Sequence, residues 1–260
     1  GTSIGMAMRG YRPVPEIQFD GFVFPAYNQI TTQLAKIHNR SDKKYVVPVT
    51  IRIPYGGVIG AVEHHSESPE ALFAHTAGLR IVTPSSPHDA YWMTRKSIEC
   101  DDPVIIFEPK RRYWLKGEVN FADTDFDPFQ AQVVREGTDA TIVAYGPLVP
   151  VALAAAEAAV EDGRSIEVID LRSISPMDVP TVAASVVKTG RLIVAHEAPT
   201  FGGVGGELAA AITERCFYSL QAPVLRVGGY YMPYPVPRTE DEYVPDIDRI
   251  LEAVDRSFEY

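Results

Sequence analysis

The sequence predicts an α/β protein of two three-layer α/β/α domains with mostly parallel sheets. Three observations predict it. Short β-branched and aromatic runs alternate with stretches of helical spacing, the pattern of strands covered on both faces by crossover helices. The alternation lapses once, in an acidic, turn-rich stretch between Tyr113 and Gly137. And 260 residues, 46% hydrophobic and 22% charged, suffice to bury two cores of ordinary size. The expected boundaries are a first domain over residues 1–120, a linker over 121–136 and a second domain over 137–260.

Each element has its own signal. The opening GTSIGMAMRGYRP reads like the middle of a small-residue helix ending at Gly10, so a truncated or processed amino terminus is expected. EIQFDGFVF (Glu16 to Phe24) has strand-like aromatic and β-branched content, and in PAYNQITTQLAKIHNR the residues Ile30, Leu34 and Ile37 recur at helical spacing. YVVPVTIRIPYGG reads as a buried strand, SPEALFAHTAG as a short helix closed by Gly78, and LRIVTPSSP as a strand. HDAYWMTRKSIEC is a helix and DPVIIFEPKR a strand. The stretch after Tyr113 is a linker, or a linker with an edge hairpin. Beyond it come strand ATIVAYG, helix PVALAAAEAAVEDG, strand SIEVIDLR, helix DVPTVAASVVKTG, strand RLIVAHEA, helix GGELAAAITERCF and strand APVLRVGG, four strands joined by crossovers.

Composition excludes several classes. A net charge of −10 without clustered Lys and Arg argues against a nucleic-acid or anionic-membrane partner. No apolar run approaches the ~20 residues of a membrane span, and no signal-peptide pattern opens the chain. Cys100 and Cys216 lie far apart without CxxC spacing, which fits a reducing compartment and neither a zinc site nor a disulfide scaffold.

Three segments invite chemistry. TFGGVGGELAAAI follows a strand and opens a helix, a setting for phosphate, yet its spacing fails G-x-G-x-x-G; close helix–sheet packing is the favoured reading, and a dinucleotide oxidoreductase is a distant alternative. His196 and Glu197 sit at the carboxyl end of a strand, where α/β proteins place ligands, and a structural or interface role is equally open to them. His64 and His65 are adjacent, so on extended backbone they face opposite ways, and no HExxH-type spacing supports a metal. One of them can project into a cleft as an acid or base; His75 reads as a packed or capping residue.

Five collinear segments carry a resemblance: GYRPVPEIQFDGFVFPAYNQI, HHSESPEALFAHTAGLRIVTPSSPHDA, DDPVIIFEPK, EVIDLRSISPMD and GRLIVAHEAPTFGGVGGE. Together they resemble the β subunit of the thiamine-diphosphate-dependent 2-oxo acid dehydrogenases, most the branched-chain type, with the pyruvate type close behind. The resemblance runs from Gly1 to about Pro245. It implies a transketolase-like pyrimidine-binding domain followed by a transketolase carboxy-terminal-like domain. It implies an α2β2 heterotetramer that decarboxylates a 2-oxo acid and reductively acylates a lipoyl group on an acyltransferase component. By similarity His65 is the active-site histidine, with His64 pointing away, Phe22 is the aromatic that stacks on the aminopyrimidine, and Gln18 is a polar neighbour of that ring. The glutamate that activates the cofactor is expected upstream of Gly1. No GDG-type motif is present, and the resemblance assigns the diphosphate and magnesium to the α subunit, so the isolated chain is expected to be inactive. A potassium site is implied at Val49, Thr50, Ser97, Cys100 and Asp102, through oxygens that suit a hard cation.

The carboxy-terminal domain, with apolar helices such as VALAAAEAAV, is expected to make a β–β contact. Cytoplasmic localisation is expected if the source is bacterial, the favoured case, and mitochondrial matrix if it is eukaryotic. A scaffold giving only dimer and docking contacts is the alternative from a different class.

Overall fold

The computed structural model describes all 260 residues. Nine strands form two sheets. They are β1 (Thr50–Tyr55), β2 (Arg80–Val82), β3 (Val104–Pro109), β4 (Gln132–Arg135), β5 (Ala140–Ala144), β6 (Ile166–Asp170), β7 (Ser173–Ser175), β8 (Leu192–Pro199) and β9 (Leu225–Gly229). The first sheet has the order β1-β3-β2-β7 and the second β4-β6-β5-β8-β9. Pairing is parallel except where β7 meets β2 and where β4 meets β6.

The parallel strands are those that read as continuous apolar runs: every residue of β3, β5 and β6 is buried. Strands without a solvent face lose the period-two alternation and keep only their hydrophobicity. The helices Pro87–Glu99, Val149–Ala158, Val179–Thr189 and Val204–Cys216 fall where helical spacing placed them. Their starts are chemically marked: Ser86 accepts from Asp89 N and Asp178 from Thr181 N, each with proline in the first turn.

Two expectations are corrected. Glu16–Phe24 is not a strand: only an isolated bridge joins Glu16 to Arg52, and Asp20–Ala26 winds into 3-10 turns. Gly21 and Pro25 break the extended run, and the three-residue period sets Phe22 in line with the preceding Phe19. The stretch before residue 137 supplies an edge strand, β4, in place of a hairpin. The helix within VALAAAEAAV, expected near a β–β contact, turns only part of its small residues inward. Ala152, Ala155, Ala156 and Ala159 are buried within the chain, where they let the closing helix Ile247–Ser257 lie close against Val149–Ala158.

The two domains share more than a seam. After β6 the chain turns at Arg172 (φ 57°) and β7 adds itself to the first sheet, Val82 opposite Ser173 and Ile81 opposite Ser175. One apolar cluster of 29 buried residues then runs from Val23, Ile53 and Phe107 to Val143, Ile169 and Leu208. This continuity holds the carboxyl end of β1 against loops of the second domain.

Candidate active site

The site is carried by the loop that leaves β1. Gly56 N donates to Glu67 O at 2.9 Å and closes that loop at its base. Within it Glu63–His65 forms a single 3-10 turn, with Ser66 Oγ donating back to Val62 O at 3.0 Å. The turn corrects the expectation for the paired histidines: they are not on extended backbone, and the rings lie side by side with centroids 4.1 Å apart.

The His65 ring is stacked on Phe19 (4.2 Å, 21°) and meets Phe22 edge-on (5.1 Å, 80°). Its Nδ1 lies 3.0 Å from His64 O. A carbonyl only accepts, so Nδ1 carries the proton and the neutral ring keeps its lone pair on Nε2. Phe22 is 48% exposed, which removes ordinary core packing as its explanation. Gln18 is exposed just ahead of Phe19 and makes no hydrogen bond. Beside the histidine loop a cavity of ≈ 250 Å³ opens between the domains, lined in part by Phe24, Glu67, Leu72, Phe201 and Met232.

A buried ion pair fixes this cluster from below. Lys110, following β3, donates to Asp20 Oδ1 and to His65 O, and Asp20 Oδ2 accepts from Glu67 N at 3.1 Å. Burial pushes the Asp20 carboxyl up and the Lys110 amine down, and each partner's charge opposes the shift of the other. One cation thus ties the segment bearing Phe19 and Phe22 to the backbone of His65. Neither Asp20 nor Lys110 carries a local sequence signal, because their meeting depends on β3 lying beside β1.

The residues proposed for potassium are partly brought together. Val49, Thr50 and Ser97 are buried, and Thr50 Oγ1 donates to Ser97 O at 3.0 Å. Val49 O accepts from Val104 N, Cys100 O accepts from Arg12, and Asp102 pairs with Arg80 at 2.7 Å. Four of the oxygens, those of Val49, Ser97, Cys100 and Asp102, are therefore engaged by chain donors. No group of three or more His, Cys, Asp or Glu side chains converges as a metal centre.

The glycine-rich turn after β8 is a packing device. A Cβ on Gly203 or Gly205 would fall 2.7 Å from the His196 ring, so the space that a phosphate would need holds a buried imidazole. His196 Nδ1 donates to Ala198 O at 2.9 Å, and burial pushes its pKa down to about 4. The exposed Phe22 and half-buried His65, in contrast, leave an aromatic face free to take a planar ring.

Comparison with known proteins agrees with this architecture. Residues 1–114 match the transketolase pyrimidine-binding domain and residues 130–250 the transketolase carboxy-terminal domain. A split-gene transketolase, solved as an inactive β4 tetramer, superposes with a TM-score of 0.81 at 23% identity, covering 100% of this chain and 80% of that one. At 62% identity the whole chain aligns with 77% of the pyruvate dehydrogenase E1 component subunit beta of Leifsonia xyli. At 50% identity, 98% of it aligns with 74% of the 3-methyl-2-oxobutanoate dehydrogenase subunit beta of Mycobacterium tuberculosis. Two family domains in order, and relatives of this identity along the full chain, place it: the protein belongs to the β subunits of the 2-oxo acid dehydrogenases, oxidoreductases of transketolase-like fold.

Proposed function

We propose that His65 is the acid–base residue of lipoyl acylation in this dehydrogenase, and that Phe19, Phe22 and Gln18 shape the face that receives the thiamine ring. The observation that supports it is the exposed Phe22 set edge-on to a histidine whose Nε2 is free. Held against Phe19, Phe22 and Gln18, thiamine diphosphate would supply a nucleophilic carbon for the decarboxylation of a 2-oxo acid. The electron pair left by loss of carbon dioxide opens the lipoyl disulfide, so that one sulfur takes the acyl group and the other leaves as a thiolate that needs a proton. Protonated at Nε2, His65 holds that proton, and Nδ1 stays fixed on His64 O.

The diphosphate and its magnesium need a cradle of backbone donors and oxygen ligands. The turn at Gly202–Gly206 does not fit that role, because His196 fills it. We assign the cradle to an α subunit in an α2β2 heterotetramer, with an acyltransferase component delivering the lipoyl arm and a β–β contact through the second domain. Potassium at Val49, Thr50, Ser97, Cys100 and Asp102 stabilises the start of β1 in this reading. Bacterial cytoplasm is the proposed location; no helix is long and apolar enough to cross a membrane.

A branched-chain 2-oxo acid is the proposed substrate, supported by the motif resemblance and the Mycobacterium tuberculosis relative. The 62% identical relative bears a pyruvate dehydrogenase name and supports pyruvate as the second reading. The kcat/KM ratio for 3-methyl-2-oxobutanoate over pyruvate separates the two.

The test of His65 uses the β subunit assembled with its α subunit. His65→Ala is expected to keep decarboxylation with an artificial electron acceptor and to lose lipoyl acylation by about 10²–10⁴-fold. Unchanged turnover with the lipoyl substrate removes His65 from the mechanism.

A further inference from the structure

The first half of the histidine loop is held from the other domain. Glu240 opens the short helix Glu240–Tyr243; its Oε1 accepts from Gly60 N at 2.9 Å and its Oε2 from Val58 N at 3.0 Å. The Tyr234 hydroxyl accepts from Val58 N at 2.9 Å and donates to Glu240 Oε2 at 3.0 Å. Glu197, in β8, accepts from Gly57 N and lies 3.1 Å from Arg111, a charge contact without hydrogen-bond alignment. All three acceptors are buried, and Glu240 has no ion-pair partner. A buried carboxylate whose hydrogen bonds come from two loop amides and the tyrosine between them is there for that loop.

Val58 supplies an independent observation. It has φ 60°, in the left-handed region, where a β-branched side chain crowds its own backbone. Its side chain packs against Tyr234, Tyr243 and Val244. Such a conformation persists only when its surroundings over-determine it, and such residues cluster at functional sites. Five residues further on comes the 3-10 turn that carries His65, and the Gly56–Glu67 bond shuts the loop at its base. With Gly60 N itself held by Glu240 Oε1, only Ala61 and Val62 separate the clamped segment from that turn.

We infer that Glu240, with Tyr234 and Glu197, is a positioning element for His65: the second domain clamps a strained Val58 and so sets the histidine loop in its reacting geometry. The inference rests on the role proposed for His65. None of the three acceptors touches the His65 ring, so their effect is on placement, where a misfit of about 1 Å costs about 10²-fold.

The experiment compares variants of the β subunit assembled with its α subunit, reading the ratio of lipoyl acylation to dye-coupled decarboxylation, with thermal unfolding as a control on folding. Glu240→Gln is expected to lower that ratio by about 10- to 100-fold through kcat for the lipoyl substrate. Tyr234→Phe removes one acceptor and is expected to lower it less. Val58→Gly added to Glu240→Gln is expected to bring the ratio back to within about threefold of wild type, because glycine holds the left-handed conformation without a clamp. A general loss of structure would not be rescued by removing a side chain. An unchanged ratio in both clamp variants, while His65→Ala lowers it, overturns this inference alone. A fall that Val58→Gly does not restore also overturns it. An unchanged ratio in His65→Ala overturns the reading of the histidine and the positioning role with it. Should Glu240→Gln not assemble, Tyr234→Phe with and without Val58→Gly decides by the same criteria.

Discussion

Two glycine-rich turns leave carboxyl ends of parallel strands in this protein, Gly56–Gly60 after β1 and Gly202–Gly206 after β8, and what fills the space over each differs. Over the first stand the Tyr234 hydroxyl and the Glu197 carboxylate: a Cβ on Gly57 would fall 1.8 Å from the hydroxyl oxygen, and one on Gly56 2.8 Å from Glu197 Oε1. Those groups belong to the other domain, and they hold a loop that carries His65 out to a half-buried ring. Over the second stands the His196 imidazole of the same domain, fully buried. A glycine-rich turn at a strand end thus marks a close approach, and the approaching group decides whether the turn serves a site or a core.

Alanine placed in each turn gives the largest contrast. Gly57→Ala is expected to displace the Tyr234 ring, to destabilise the chain by about 1–3 kcal/mol and to lower lipoyl acylation by about 10²-fold. Gly205→Ala, whose Cβ would fall 2.7 Å from His196 Nε2, carries a similar stability cost and leaves the acylation-to-decarboxylation ratio unchanged. Denaturant unfolding and the two half-reaction assays read both effects. A ratio that moves in Gly205→Ala, or stays put in Gly57→Ala, breaks the comparison.

A buried acid and a buried base lie on either side of Tyr145. Tyr145 donates to Glu70 Oε1 at 2.7 Å and lies parallel to His196 at 5.9 Å. Burial moves the acid and the base in opposite directions, Glu70 up to about 8 and His196 down to about 4, so that both are neutral near pH 7. The signs follow by linkage. Glu70 binds its proton more tightly folded than unfolded, so its contribution to stability is full below 4.5 and is lost as pH rises to about 8. His196 is the reverse: its contribution is full above 6.5 and is lost as pH falls through about 4. Between pH 6.5 and 8 Glu70 acts without opposition from His196, at roughly 1.4 kcal/mol per pH unit. Glu70→Gln, neutral at every pH, is expected to gain about 2 kcal/mol on wild type across that window. Asp170, pushed up to about 7 by burial and by Asp89, adds to the decline in both proteins and cancels from the difference. Equal pH slopes in unfolding experiments would mean that Glu70 is charged in the folded chain.

These contrasts also show which parts were legible. The buried strands were, because β-branched runs such as TIRIPY and VIIFEP have no other economical reading. The segment EIQFDGFVF was misread since aromatic content reports contact with a ring or a core and says little of extended backbone; Gly21 and the Pro25 that follows it were the contrary signals. Strand β7, three residues of which two are serine, lies below any periodicity. His65 and Phe22 were reached by resemblance, and the structure supplies their company, Phe19, Asp20 and Lys110. Glu240 and Tyr234 had no signal, because they meet Val58 across 182 and 176 residues of chain, a distance only the shared core closes.

The smallest expected effect tests whether the aromatic face beside the first turn receives a ring. Phe22 is 48% exposed and its ring stands T-shaped to His65 with centroids 5.1 Å apart. A hydroxyl added to such a ring has water within reach, so Phe22→Tyr leaves no buried polar group unsatisfied and falls within the ±0.5 kcal/mol usual at exposed positions. Thiamine diphosphate affinity, measured by calorimetry on the assembled α and β subunits, is then expected to stay within about twofold of wild type. Phe22→Ala removes the stacking surface itself, for which about 0.5–1.5 kcal/mol is typical beyond area burial, or about 2- to 12-fold in affinity. It is expected to spare folding, because half of the side chain is outside the core already. Phe22→Ala with unchanged affinity would show that the exposed ring serves another surface, and the receiving face would then be reduced to Phe19 and His65.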